Sequence, residues 1–402
     1  MKLPLTAYDR LQKLRPEMWD FISQDVQSLR ASGWQKPVFS FDDIGGGRVD
    51  AYAQSLADAF VQKTAEQTNL PMETIRNHAG MVPEFLNQIK LLTKTVEQDY
   101  YNYLNFELFD RKTFYFSDNL TDNLAETEME IDPALVRPPF DCSLFVFTAD
   151  SIIKAACTAF DGKVRPEIPG GVVSAMVVYH SDRQTKDGVN FNSLLMAISY
   201  WEGNRQVFYI KREVALFPGG SIEKALKTEW NEILSSGELG AGIYSSLYGL
   251  YGEDRATKDE EFYTDGLHLF RIVLNAVLYL DSSDPDIVQK VSAKHEAVER
   301  MGKIKSRVKA KLARKEANRE SALDYASIGE SIEPIVISPR SGSGPLENSG
   351  SGRGIFARFI VRGHWRNQAH GEGRTKRKLV WIKPHFKGPE ITEVVNRPYV
   401  VK

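Results

Sequence analysis

Apolar and polar positions alternate with different periods in different parts of the chain. In 1–117 the helical period dominates: DAYAQSLADAFV over 50–61 spaces its apolar residues by three and four, and a longer stretch opening at Pro83 repeats this with Phe85, Leu86, Ile89, Leu92 and Val96. An acidic, proline-containing stretch over 118–140 (ETEME at 126–130, RPPF at 137–140) reads as a connector. Strand-length apolar runs follow at 144–147, 171–179 (GVVSAMVVY) and 193–200, with an alternating QVFYIK over 206–211. The helical period returns at Ser221, a plausible N-cap. LHLFRIVLNAVLYL over 267–280 is apolar nearly all round, so it predicts a buried helix. Residues 286–320 read as one further helical stretch. Gly/Ser-rich sequence (SGSGP at 341–345, SGSGRG at 349–354) then precedes two short apolar runs, IFARFIV at 355–361 and KLVWI at 378–382, which flank a turn holding Gly371 and Gly373.

The pattern predicts an α+β protein in four parts. They are a helical region over 1–117, an α+β core over 118–320 ending in a basic helix, a linker over 321–354, and a small basic β module over 355–402. The chain has 402 residues, enough for two or three cores. Apolar residues at 42% and charged residues at 26% exclude bulk disorder and a fibrous class. No apolar run approaches the ~18 residues of a membrane span, and the first twenty residues lack an apolar signal core. The expectation is therefore a cytoplasmic protein, or one in a host's cytoplasm, with no membrane partner. Cys142 and Cys157 are too few for a disulfide framework or a thiolate metal site, and their apolar neighbours predict buried thiols.

Charge changes the picture most. The whole chain carries −2, but residues 300–319 hold nine Lys/Arg against one Glu and residues 353–387 hold ten against one. The remainder therefore carries −19, and an acidic body with two late basic segments points to a polyanionic partner. In the second segment Arg362, Arg366, Arg374, Lys376, Arg377 and Lys378 supply cations, while His364, Trp365, Trp381 and Phe386 supply planar faces. Guanidinium groups pair with phosphate and aromatic rings stack on unpaired bases, so this composition suits nucleic acid. Packing of Trp365 and Trp381 as the core of a small module is the competing reading. In the first segment Ile304, Val308 and Leu312 form an apolar line on a cationic helix. It suits phosphates, an anionic surface or an acidic groove, or is a solvated face.

Catalytic motifs are not evident. There is no Gly-x-Ser-x-Gly, no His-Glu-x-x-His and no Walker sequence, and DDIGGG over 42–47 reads as a turn. His364, His370 and His385 are separated by six and fifteen residues, which matches no zinc spacing, so neither metal nor cofactor is expected. His364 among arginines leaves metal-independent RNA cleavage as an enzymatic alternative. His268, within the apolar run, reads as a core histidine.

Two blocks carry a resemblance. FIVRGHWRNQAHGEGR over 359–374, followed by VWIKP over 380–384, resembles the C-terminal part of the type V-A anti-CRISPR family that lowers effector-nuclease mRNA during translation, together with its phage and plasmid relatives. The shared elements are Arg362-Gly363-His364-Trp365, Gly371 and Gly373, Trp381 and Pro384. PPFDCSLFV over 138–146 is more faintly similar. The resemblance implies a mobile-element regulator that meets RNA or the translating ribosome, together with a nascent polypeptide, and lowers expression of a target such as a CRISPR effector nuclease. It implies no catalytic residue. A protein-binding inhibitor with an incidental basic tail is the remaining alternative.

Overall fold

The computed structural model describes residues 2–38, 48–79, 96–97, 99–161, 170–185, 188–228, 260–292, 306–333 and 359–387. A seven-stranded mixed sheet organises them, in the order β6-β5-β4-β3-β1-β8-β7. The strands are β1 Thr113–Phe116, β3 Cys142–Phe147, β4 Val172–Gln184, β5 Asn190–Glu202, β6 Arg205–Leu216, β7 Ile287–Lys290 and β8 Tyr325–Ile328. β1 runs parallel to both β3 and β8, and the outer pairings are antiparallel.

Both faces are buried in the middle of this sheet, which is why β3, most of β5 and the first half of β4 read as continuous apolar runs rather than as strict alternation. Side chains of successive residues go to opposite faces. Phe114, Phe116, Phe145, Phe147, Met196 and Ile198 therefore join one core, and Tyr115, Leu144, Val146, Leu195 and Ala197 join the other. The first core is closed by helices α6 Asp118–Ala125, α7 Asp150–Asp161 and α9 Glu260–Leu280. The second is closed by N-terminal helices α1 Ala7–Leu14, α2 Pro16–Ala31 and α5 (99–108), with α3 Arg48–Thr68 and α4 Met72–Ala79 beyond them. Between α7 and α9 lies α8 (222–228), where the Lys224 N–H donates to Ser221 Oγ at 3.2 Å, as the N-cap reading required. α10 Arg307–Ala317 completes the helices described.

The α+β class holds, and β3 to β6 and the buried helix α9 lie where the pattern placed them. Several boundaries do not. The connector over 118–140 begins with α6, capped by Ser117 Oγ, which accepts the Leu120 N–H at 3.2 Å, and continues into β2 Thr127–Glu128. The helical region ends in β1, a strand near the middle of the sheet. Residues 321–333, assigned to a linker, contain β8, whose four residues are all buried. The helix expected from residue 286 begins instead as strand β7; its helical part, among described residues, is α10. Both cysteines are buried, and burial pushes the Cys142 thiol far up. The DDIGGG turn, the Pro83 stretch up to Leu92, Ile304 and the Gly/Ser segments at 341–354 lie outside the described residues.

Candidate nucleic-acid interface

The basic C-terminal strands form two small sheets. β10 Gly363–His370 and β11 Lys376–Ile382 make an antiparallel hairpin, and β9 Phe359–Val361 pairs with β12 His385–Lys387. The β10–β11 turn passes through Gly371 and Gly373 at φ 80° and 64°, the left-handed region that glycine enters without strain. Arg374 shares that region at φ 55° and closes the turn by donating its N–H to the Gly371 carbonyl at 3.1 Å.

The hairpin is not an independent module. β10 extends β2, placing Gly363 opposite Thr127, and the Gly363 N–H donates to the Glu126 carbonyl at 3.0 Å. A Cβ on Gly363 would stand 2.5 Å from Thr127 Oγ1 and 2.9 Å from Pro384 Cδ, so glycine here is what lets the strands approach. Trp365 and Trp381 are opposed in register and share the face turned to the body. The Trp365 indole N–H donates to Asn275 Oδ1 on α9 at 2.8 Å, while Asn275 Nδ2 donates to the carbonyls of Leu124 and Thr127, both at 2.9 Å. The Trp381 N–H donates to Thr127 Oγ1 at 3.2 Å, and its ring meets Tyr279 edge-on at 5.3 Å. Trp365 is 6% exposed and belongs to the sheet's own core, so it is a packing residue and not an open stacking platform. Trp381 is half-buried.

The cations sort differently. Arg366, Lys376 and Lys378 share the opposite face with His364, Gln368 and His370, Arg377 faces Ala369, and Arg374 sits in the turn. Arg366, Arg374, Lys376, Arg377 and Lys378 are all exposed, and among the described residues none has a carboxylate partner. Arg362 is tied to the body instead, with Nη1 3.8 Å from Glu128 Oε1. It also faces His268, whose pKa is lowered to about 4 by burial first and then by Arg271 and Arg362. Nothing gathers the histidines. His364 and His370 lie six residues apart on one strand, ~20 Å at ~3.3 Å per residue. They can neither share a metal nor act as an acid–base pair, and no group of three metal-ligating side chains occurs among the described residues.

The second basic segment lies elsewhere. α10 is anchored through the Pro4–Glu320 bridge and the Ser321 N–H donating to the Leu3 carbonyl at 3.1 Å, whereas the hairpin docks on α6 and α9. Val308 and Leu312 on α10 are 70% and 57% exposed.

A family model, AcrVA2-like, described as the anti-CRISPR type V subtype A2 family, matches residues 114–386. That span runs from β1 through the large sheet and α9 to β12. The chain belongs to this anti-CRISPR family. The match covers well over half of the chain and leaves the N-terminal helices outside it. No curated protein and no solved structure matches. In this family member the block that carried the resemblance does two jobs. Gly363, Trp365 and Trp381 fasten the hairpin, and the arginines and lysines between them stay exposed. Asn275 and Thr127, which hold both indoles, were not singled out in the sequence. The signal for Asn275 was there: one amide inside an all-round apolar helix must find partners.

Proposed function

We propose that this anti-CRISPR protein works on RNA or on translating ribosomes in the cytoplasm of a bacterial host, and lowers expression of a target such as a CRISPR effector nuclease. In this reading the hairpin grips phosphate, and the acidic body recognises a polypeptide emerging from the ribosome. One observation carries it: five exposed cations, with no carboxylate partner among the described residues, sit on a hairpin fixed to the body by two indole hydrogen bonds. A fixed hairpin holds its cations together without first having to be ordered itself, and their contribution to binding a polyanion is salt-dependent.

The test is co-sedimentation of the full-length protein with ribosomes, and filter binding to RNA, across a salt series. The double substitution Arg366→Ser with Arg374→Ser removes two phosphate contacts, so the slope of log affinity against log salt should fall by about 1.4–1.8. Association unchanged at low salt overturns the reading. Both side chains are exposed, so loss of fold does not confuse the result.

A further inference from the structure

Beside the edge strand β11 lies an open cleft of about 620 Å³, within the ~300–1,000 Å³ range of small-ligand sites. We infer that this cleft receives one unpaired nucleobase together with its phosphate. The inference deepens the proposed function, on which it rests, by naming the form of nucleic acid that the hairpin takes.

The cleft is a built site. Trp381 lines it, with its N–H engaged by Thr127 and its ring set at 87° to that of Tyr279. Tyr279 is fixed in turn, because its hydroxyl accepts the Asp286 N–H at 3.1 Å. A half-buried ring already held by these contacts can stack on a base with little further cost in order. Lys378 lines the cleft from the outer face of the hairpin and Lys383 from beyond the end of β11, and among the described residues neither has a carboxylate partner. They supply the charge for a phosphate beside the stacked base. Gln368, also from the outer face, and Asp284 add an amide, which donates and accepts, and a carboxylate, which accepts. These are the groups that read the hydrogen-bonding edges of an unpaired base.

A duplex presents no such free edge or face, so the cleft selects single strands. An extended peptide is disfavoured by the edge itself. The Ser283 N–H donates to the Leu379 carbonyl at 3.0 Å, so the loop after α9 occupies the ladder position that an added strand would need.

The experiment uses the full-length protein and a short RNA carrying 2-aminopurine at one position, read by fluorescence for stacking and by anisotropy for binding. The single strand should be bound with quenching of the 2-aminopurine, and the annealed duplex should give no quenching. Gln368→Ala and Lys383→Ala change exposed side chains, and each should weaken single-strand binding by about tenfold, the scale of one base contact. A parallel titration with the four ribonucleoside monophosphates by ligand-observed NMR should give binding that Gln368→Ala weakens. RNA bound without quenching, equal quenching by the duplex, or displacement by an acidic peptide and not by nucleotide overturns the cleft assignment. Nucleotide binding sensitive to Gln368→Ala supports the cleft even if neutralising Arg366 and Arg374 leaves ribosome association unchanged. In that case the proposed function fails and the cleft stands. Failure to bind either RNA or nucleotide overturns both.

Discussion

Asn275 is the residue on which the hairpin's attachment converges. Its amide answers three buried groups at once: one indole N–H, 90 residues away, and two carbonyls about 150 residues away. Asn275→Leu keeps the helix and the volume but leaves those groups unanswered, at about 1–3 kcal/mol for each that finds no new partner. Urea denaturation should show a lower midpoint with native secondary structure retained; an unchanged midpoint would sink this assignment. The polar residue was visible inside its apolar run, but its partners were not, because nothing local links Trp365 to Leu124. His268 makes a second test at this scale. Burial and the Arg271 and Arg362 charges hold its folded pKa near 4, against an ordinary value of 6.5. The unfolded chain then binds the proton first, so the histidine's contribution is intact above pH 6.5 and declines as pH falls towards 4. His268→Gln should flatten the loss of stability between pH 6.5 and 4.5, measured by urea midpoints. Parallel curves for the two proteins would show that His268 does not contribute to it.

At the scale of elements, legibility followed burial and length. β4 and β5 are long and largely covered on both faces, so their apolar runs stood out, and the edge strand β6 stood out by its alternation. β1 (TFYF) and β8 (YASI) are four residues each, and they pair with each other across about two hundred residues of chain. Nothing in their local sequence distinguishes them from a helix end or a linker. The β10–β11 hairpin was legible from its glycine turn; its attachment to β2 was not. α10 shows the reverse limit. Its apolar line invited a packed or docked helix, yet Val308 and Leu312 point into solvent. Replacing both by Gln should change stability by no more than ~0.5 kcal/mol per site. A thermal melt lowered by several degrees would mean that this face is covered in the folded protein.

For the molecule as a whole, the hairpin's attachment decides whether the family block is a detachable tail or part of the fold. A Gly/Ser-rich segment before it and a basic composition within it suggest a separate unit. The contacts say otherwise: β10 completes a sheet begun by β2, and Trp365 sits in the same core as Phe116, Phe145 and Val273. Ending the chain at residue 354 therefore removes more than charge. It strips β2 of its only described partner, leaves Asn275 Oδ1 and Thr127 Oγ1 without their indole donors, and opens the space that Trp365 fills. Emptying a buried tryptophan site alone costs about 3–5 kcal/mol, a large share of the ~5–15 kcal/mol that holds an ordinary domain together. The truncated protein should melt well below the full-length chain, and residues 355–402 alone should show no cooperative transition. Full-length protein should unfold with the tryptophan environment and the helices lost together. Two resolved transitions, the upper one surviving truncation, would make the hairpin a true module, and its cations could then move relative to the body. A single shared transition fixes the cationic face and the acidic body in one frame, and under the proposed function RNA and polypeptide would then have to be presented together, as they are at a translating ribosome.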